Sequence, residues 1–194
     1  MSARLQLGVL GSGKGSNLES ILRAINSGEL LADLRLVVSD CPSAGILDVA
    51  RKWGLPSLTI PRSNFRTRLE PEIEESLARS LKSAGVKFVA LAGYMRMLKA
   101  PMLEAFPRAI VNIHPSLLPA FPGVDAWRQV LLAGVKVTGC TVHWVDEGMD
   151  TGSVIAQQQV PVLDSDTPET LLARIQEAEH LLYPRVLESI RSSQ

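Results

Sequence analysis

Short apolar runs alternate with longer amphipathic stretches along this chain, and this alternation restricts the fold more than any other feature. Helical spacing of apolar residues marks the amphipathic stretches at about 18–26, 45–53 and 72–84. The apolar runs are typical of buried strands and cover 5–10, 34–38, 57–60, 88–92 and 109–113. Strands that alternate with helices form right-handed βαβ units. We therefore predict an α/β fold with an open, mainly parallel twisted sheet and helices on both faces.

The last third of the chain has a different pattern. Two extended runs, 137–145 and 153–162, flank the sequence DEGMDTG at 146–152, and a long amphipathic helix follows from Pro168. This spacing predicts two strands joined by a functional loop. The chain has 194 residues and shows neither a linker nor a repeat, so we predict one domain over 1–194, at ~100–200 residues per domain.

Composition excludes several classes of function. Twenty Lys and Arg balance 20 Asp and Glu, which argues against a nucleic-acid partner. No apolar run approaches the ~20 residues of a membrane span, and no signal peptide follows Met1, so we expect no membrane partner and a cytoplasmic location. Two cysteines are too few for a disulfide framework or a cysteine zinc site, and we expect no metal. Imidazole acid–base chemistry must use one of three histidines, which are His114, His143 and His180.

A glycine-rich loop, GSGKGSN at 11–17, lies between the first strand and the first helix. Glycines allow a ligand close to the backbone, and free N–H groups at a helix start favour an anion, so we predict that Gly15, Ser16 and Asn17 bind phosphate. Ser16 and Asn17 also carry side-chain donors.

The same loop matches two nucleotide-binding motifs in part. The pattern G-x-x-x-x-G-K fits from Gly8 to Lys14, but Gly15 follows where a nucleoside-triphosphate site needs Ser or Thr. A dinucleotide site would need glycine at position 16, although Asp40 ends the second strand as that site requires. The loop also fits a plain tight turn between a strand and a helix.

The pair Asn112 and His114 lies at the end of the apolar run 109–113 and precedes two prolines. Residues two apart in a strand point to the same side, and ligands in open α/β sheets bind at the carboxyl ends of strands. An amide can donate to a developing oxyanion while imidazole transfers a proton, which together suit acyl transfer. The alternative is two polar residues that cap backbone groups at a strand end.

A carboxylate beside the imidazole would raise its pKa by favouring the charged form. The loop between the last two predicted strands offers Asp146, Glu147 and Asp150, and spacing does not choose among them. Asp150 stands where the loop must turn tightly, whereas Asp146 and Glu147 fit solvated loop residues more simply.

Five segments resemble the phosphoribosylglycinamide formyltransferases, in order and over nearly the whole chain. They are GSGKGSNL at 11–18, LAGYMRML at 91–98, NIHPSLLP at 112–119, GCTVH at 139–143 and the loop 146–152. The resemblance implies a Rossmann-like formyltransferase fold. It also implies direct transfer of a formyl group from 10-formyltetrahydrofolate, as cosubstrate, to the amine of glycinamide ribonucleotide in purine biosynthesis.

The resemblance also implies roles for individual residues. Asn112 would stabilise the tetrahedral intermediate, His114 would protonate the departing folate nitrogen, and Asp150 would raise the pKa of His114 and order water. The substrate would be bound by Gly15, Ser16, Asn17 and Glu179, and the folate by Arg68, Met95, Arg96, Met97, Leu98 and Asn112. The phosphate-binding half would cover about 1–90, and the folate and catalytic half about 91–194.

Structural roles compete with several of these assignments. Met95–Leu98 also fits core packing after a buried strand, and Glu179 with His180 fits the solvated face of a helix. His143 fits a structural histidine. Lys14 fits a further phosphate contact, while Asp125 occupies a position where family members differ.

Related functions fit the sequence less well. A methionyl-tRNA formyltransferase needs a further tRNA-binding domain, and a formyltetrahydrofolate hydrolase needs an extra N-terminal domain. A nucleotide-dependent oxidoreductase needs the missing glycine, and a binding module needs no Asn, His and Asp together. We expect an enzyme that acts on small-molecule substrates and is a monomer or a weak homodimer.

Overall fold

The computed structural model describes residues 3–193 and contains one seven-stranded sheet with six helices. The strands are β1 (Leu5–Leu10), β2 (Ala32–Ser39), β3 (Ser57–Thr59), β4 (Phe88–Leu91), β5 (Ile110–His114), β6 (Val137–Trp144) and β7 (Val154–Pro161). The helices are α1 (Ser16–Ser27), α2 (Gly45–Lys52), α3 (Pro71–Ser83), α4 (Ala100–Ala105), α5 (Ala126–Ala133) and α6 (Pro168–Ser192).

The strands lie in the order β3-β2-β1-β4-β5-β6-β7. Strands β1 to β5 run parallel, while β6 is antiparallel to β5 and β7 to β6. The prediction of a single α/β domain with a mainly parallel sheet is confirmed. Strand β1 lies between β2 and β4, because the chain runs from β1 to β2 and β3 on one side and then crosses back to β4 on the other. Ligands bind at such a switch point, beyond the carboxyl ends of the strands.

Helices cover both faces of the sheet, as predicted. One core packs side chains of α1, α2 and α6 against the strands, with Leu18, Ile46 and Tyr183 fully buried. The core of the opposite face includes Leu77 of α3 and Met102 of α4. Helix α5 packs on α6 in a smaller cluster. Within 3–193, no helix is both long and apolar enough to cross a bilayer.

Helices α4 and α5 have no counterpart in the predicted elements. Helix α4 has six residues and α5 has eight, with Asp125 in a left-handed conformation at the start of α5. Such short helices provide too few turns for a clear period of apolar residues. The predicted strand 109–113 is β5, which extends one residue further and includes His114.

Candidate active site

Asn112 and His143 face each other across the antiparallel pair β5–β6, where they are register partners. The Nδ1 atom of His143 lies 2.9 Å from the carbonyl oxygen of Trp144. A carbonyl only accepts, so Nδ1 carries a proton, and Nε2 of the neutral ring is an acceptor. Asn112 Nδ2 donates to that Nε2 over 3.2 Å. This bond fixes the direction of the Asn112 amide and leaves its second N–H available.

His114 lies at the end of β5 and is almost completely buried. Its Nε2 donates to the carbonyl oxygen of Phe121 over 2.9 Å. Its Nδ1 therefore carries the lone pair in the neutral ring, and it lies 3.4 Å from Oδ2 of Asp150. Oδ1 of Asp150 is 3.7 Å from Nε2 of His143. The structure thus brings Asn112, His114 and Asp150 into one cluster that also contains His143.

Burial is the main influence on the pKa of His114 and lowers it below the ordinary value of 6.5. The Asp150 carboxylate raises this pKa, and so does the Phe121 carbonyl, but together they do not offset the loss of water. The expectation that Asp150 raises the pKa of His114 has the right sign, but burial outweighs this effect and the net pKa is lowered.

The pKa of Asp150 is lowered, so this residue is a carboxylate at neutral pH. Burial alone would raise the pKa of its carboxyl, but the attraction of the two histidines when they are protonated and the backbone N–H of Gly123 outweigh burial. That N–H donates to Oδ2 over 2.8 Å. Asp150 itself adopts a left-handed backbone conformation, with φ 57°.

The other two loop acids do not reach His114. Asp146 accepts from the backbone of Gly148 and from the Thr151 hydroxyl, so it stabilises its own turn. Glu147 is exposed. The geometry therefore selects Asp150 among the three acids that spacing left open.

The glycine-rich loop leads from β1 into α1, whose first residue is Ser16. Gly15 caps this helix with φ 85°, and no side chain occupies its free N–H groups. A Cβ at Gly15 would lie 2.7 Å from the Cα of Ile46 in α2, so only glycine fits this close contact between two chain segments. The helix start is therefore open to an anion.

Asn17 and Glu179 bond to each other between α1 and α6. Both are buried, and Asn17 Nδ2 donates to Oε2 of Glu179 over 2.8 Å. Burial raises the pKa of Glu179 to about 7. The interpretation of Glu179 as part of a solvated helix face is thus wrong. The Asn17 side chain is also less free than expected, because one of its amide protons is already used.

Segment 95–98 follows β4 at the switch point, and its side chains differ widely in exposure. Met95 is 61% exposed, whereas Leu98 is 1% exposed and belongs to the core. The side chain of Leu98 therefore packs inward, a correction to the expectation that it encloses a ligand. Arg96 donates to Asp40 and to two backbone carbonyls, so it is not a free cation. Arg68 lies nearby, because its backbone pairs with Met97, and its guanidinium stacks on Phe65.

His143 belongs to this cluster although its sequence pattern indicates only a structural histidine. It is 2% exposed and contacts both Asn112 and Asp150. The contact could be predicted only from the antiparallel register of β5 and β6, which places His143 opposite Asn112. A single histidine in a strand pattern gives no indication of it. Within 3–193 no set of three or more His, Cys, Asp or Glu side chains is placed to hold a metal ion.

Known proteins resemble this chain over nearly its whole length. The formyl transferase family model matches residues 5–187. A phosphoribosylglycinamide formyltransferase of Bacillus subtilis is 42% identical over 182 residues, which are 94% of this chain and 92% of that protein. A trifunctional purine biosynthetic protein, adenosine-3, of Drosophila pseudoobscura pseudoobscura is 45% identical over 97% of this chain. The chain spans only 14% of that longer protein.

Solved structures agree with these sequence matches. The crystal structure of glycinamide ribonucleotide transformylase 1 from Symbiobacterium toebii superposes with a TM-score of 0.93 at 44% identity. That match covers 98% of this chain and 89% of the other. A phosphoribosylglycinamide formyltransferase from Bacillus halodurans gives a TM-score of 0.88 at 40% identity, with 96% and 95% coverage.

Proposed function

Since the chain belongs to the formyl transferase family and, within it, to the phosphoribosylglycinamide formyltransferases, we propose that it formylates N1-(5-phosphoribosyl)glycinamide. The formyl donor is 10-formyltetrahydrofolate, and the products are the N-formyl compound and tetrahydrofolate. The reaction belongs to de novo purine biosynthesis. The observation that carries the proposal is the convergence of Asn112, His114 and Asp150 at the carboxyl end of β5, beside the switch point.

Asn112 stabilises the charge that forms during transfer. The amine lone pair makes a bond to the formyl carbon, and the electrons of the C=O bond move to its oxygen. The second N–H of Asn112 Nδ2 donates to that oxygen, while the first remains on His143. An amide held on one side by His143 is oriented before the substrate arrives.

His114 moves the proton that the reaction transfers. Its lowered pKa leaves the ring mainly neutral at pH 7, with the free lone pair on Nδ1. Nδ1 takes a proton from the attacking nitrogen and gives it to the folate nitrogen as the carbon–nitrogen bond breaks. Asp150 stabilises the imidazolium that exists between the two transfers. In these steps His114 acts first as a base and then as an acid, whereas the sequence led us to expect a His114 that is protonated before the reaction begins.

The two substrates meet over this cluster from different sides. Backbone N–H groups of Gly15, Ser16 and Asn17 bind the phosphate, and Glu179 contacts the ribose. Asn112, the backbone of 95–98, the side chains of Met95 and Met97, and Arg68 form the folate side. Residues 1–90 then mainly supply the phosphate site, and 91–194 the folate and catalytic sites, with Arg68 and Glu179 as the exceptions. A cytoplasmic location, and a monomer or weak homodimer without nucleic-acid or membrane partners, stay predictions.

Transfer of a labelled formyl group tests this proposal. The purified protein is incubated with 10-formyltetrahydrofolate labelled in the formyl carbon, with and without glycinamide ribonucleotide. The label should appear on the glycinamide nitrogen, with one tetrahydrofolate formed per product. Label released only as formate, at a rate independent of glycinamide ribonucleotide, would instead indicate a hydrolase.

A further inference from the structure

Asp40 lies directly after β2 and accepts hydrogen bonds from two different segments. Its Oδ1 accepts from the Ser12 hydroxyl over 2.6 Å, and its Oδ2 accepts from Arg96 Nε over 2.7 Å. The Asp40 side chain is 7% exposed and that of Arg96 is 16% exposed. Both bonds are charge-assisted and shielded from water, which makes them stronger than ordinary surface contacts.

The direction of each bond makes Asp40 the final acceptor of the network. The Met95 backbone N–H donates to Ser12 Oγ over 2.9 Å, and the Ser12 hydroxyl then donates to Asp40. Arg96 donates from the other side. An asparagine at position 40 could still bond to both neighbours, because the Ser12 hydroxyl can accept as well as donate, but it would lack the negative charge that strengthens both bonds. The Asp40→Asn change therefore weakens both branches of the network while it keeps the size of the side chain.

Arg96 extends the network to the segment 61–69. Its Nη1 donates to the carbonyl oxygens of Phe65 and Arg66. Residues 61–68 are exposed except for Ser63, and they contain no helix or regular strand. A backbone bond also joins this segment to the switch point, from Met97 N to Thr67 O over 2.8 Å. Apart from Leu69, which is buried in the core, the segment has little apolar packing, so polar bonds contribute much of what holds it in place.

We propose that Asp40 is a positioning residue that fixes segments 61–69 and 95–98 relative to the glycine-rich loop. Through Ser12 it orients the Met95 backbone, and through Arg96 it places the strip that carries Arg68. This inference deepens the proposed function, because those two segments form the proposed folate side. In this inference, Arg96 pairs with Asp40 and holds the protein's own segments together. It does not bind a carboxylate of the ligand.

Two measurements on Asp40→Asn test the inference, with Asp48→Asn as the matched control. Asp48 is an exposed acid on α2 that pairs with Arg51. In the protein without substrates, amide hydrogen exchange should accelerate by about tenfold at 64–68 and 95–97, and the rest of the chain should be unchanged. In formyl transfer, the KM for 10-formyltetrahydrofolate should rise about five- to twentyfold, with kcat within threefold. Asp48→Asn should change neither quantity.

Arg96→Lys provides a second variant, because it keeps a positive charge but lacks the two separate donors, Nε and Nη1, that contact Asp40 and the carbonyls at the same time. Its exchange at 64–68 should accelerate while 95–97 changes less. Unchanged exchange at 64–68 in both variants, a uniform acceleration over the whole chain, or a fall in kcat with KM constant would overturn the inference. Since exchange is measured without substrates, it reports on the Asp40 network even if formyl transfer itself is not observed.

Discussion

The buried carboxyl of Glu179 makes the stability of the protein depend on pH in a direction that can be calculated. Burial raises its pKa from 4.5 to about 7. The folded protein therefore binds more protons than the unfolded chain between these two values. The contribution of Glu179 to stability is complete below pH 4.5 and falls as the pH rises through 7. The Asn17 amide donates to the carboxyl in either form and offsets part of the cost.

The Glu179→Gln variant removes this titration and keeps the shape of the neutral acid. At 1.36 kcal/mol per pKa unit, linkage predicts that the wild type loses about 2–3 kcal/mol relative to the variant between pH 5 and pH 8. Urea unfolding at pH 5, 6, 7 and 8 measures this difference. The control is Glu177→Gln, an exposed residue on the same helix, which should shift stability by less than about 0.5 kcal/mol at every pH.

A wild-type-minus-variant difference that does not change between pH 5 and pH 8 would refute this reasoning. It would mean that Glu179 ionises in the folded protein as it does in water. A difference that grows in favour of the wild type as pH rises would show that the buried anion has a stabilising partner. Neither result is compatible with a carboxyl whose pKa is raised by burial.

Two further changes test the site and the glycine-rich loop. Asp150→Asn removes the charge that raises the pKa of His114, so the rising limb of the pH profile of kcat should move to lower pH while kcat falls. Glu147→Gln, on the same loop, should leave the limb in place, and an unmoved limb in Asp150→Asn would show that Asp150 acts only by positioning. Gly15→Ala should cost about 1–3 kcal/mol in thermal or urea unfolding, because φ is +85° and the new Cβ would lie 2.7 Å from Ile46 Cα. Gly13→Ala, whose Cβ would meet no atom within 4 Å, is the control and should be nearly neutral.

Local patterns are sufficient to predict the sheet and the pair on β5. Apolar runs mark the parallel strands, and the period of two places Asn112 and His114 on one side of a strand. The structure brings both into one cluster. These inferences succeed because they depend on residues that are close in sequence.

The remaining features depend on how distant segments meet. The choice of Asp150 follows from a left-handed residue and a bond to Gly123, and His143 enters through the register of β5 and β6. The burial of Glu179 is an exception with a local signal, because Ile175 and Tyr183 lie one turn on either side of it and are both fully buried. The pKa of His114 depends mainly on how deeply the side chain is buried, and the spacing of residues in the sequence does not predict that depth.

The central claim is that the cluster of Asn112, His114 and Asp150 performs the transfer, with His114 as the carrier of the proton. The most direct test measures kcat and the Kd of both substrates for His114→Ala beside the wild type. We predict that kcat falls by about 10²–10⁴, the usual contribution of a positioned acid–base group, while each Kd stays within threefold. Formyl transfer at the wild-type rate by a folded His114→Ala protein would contradict the account.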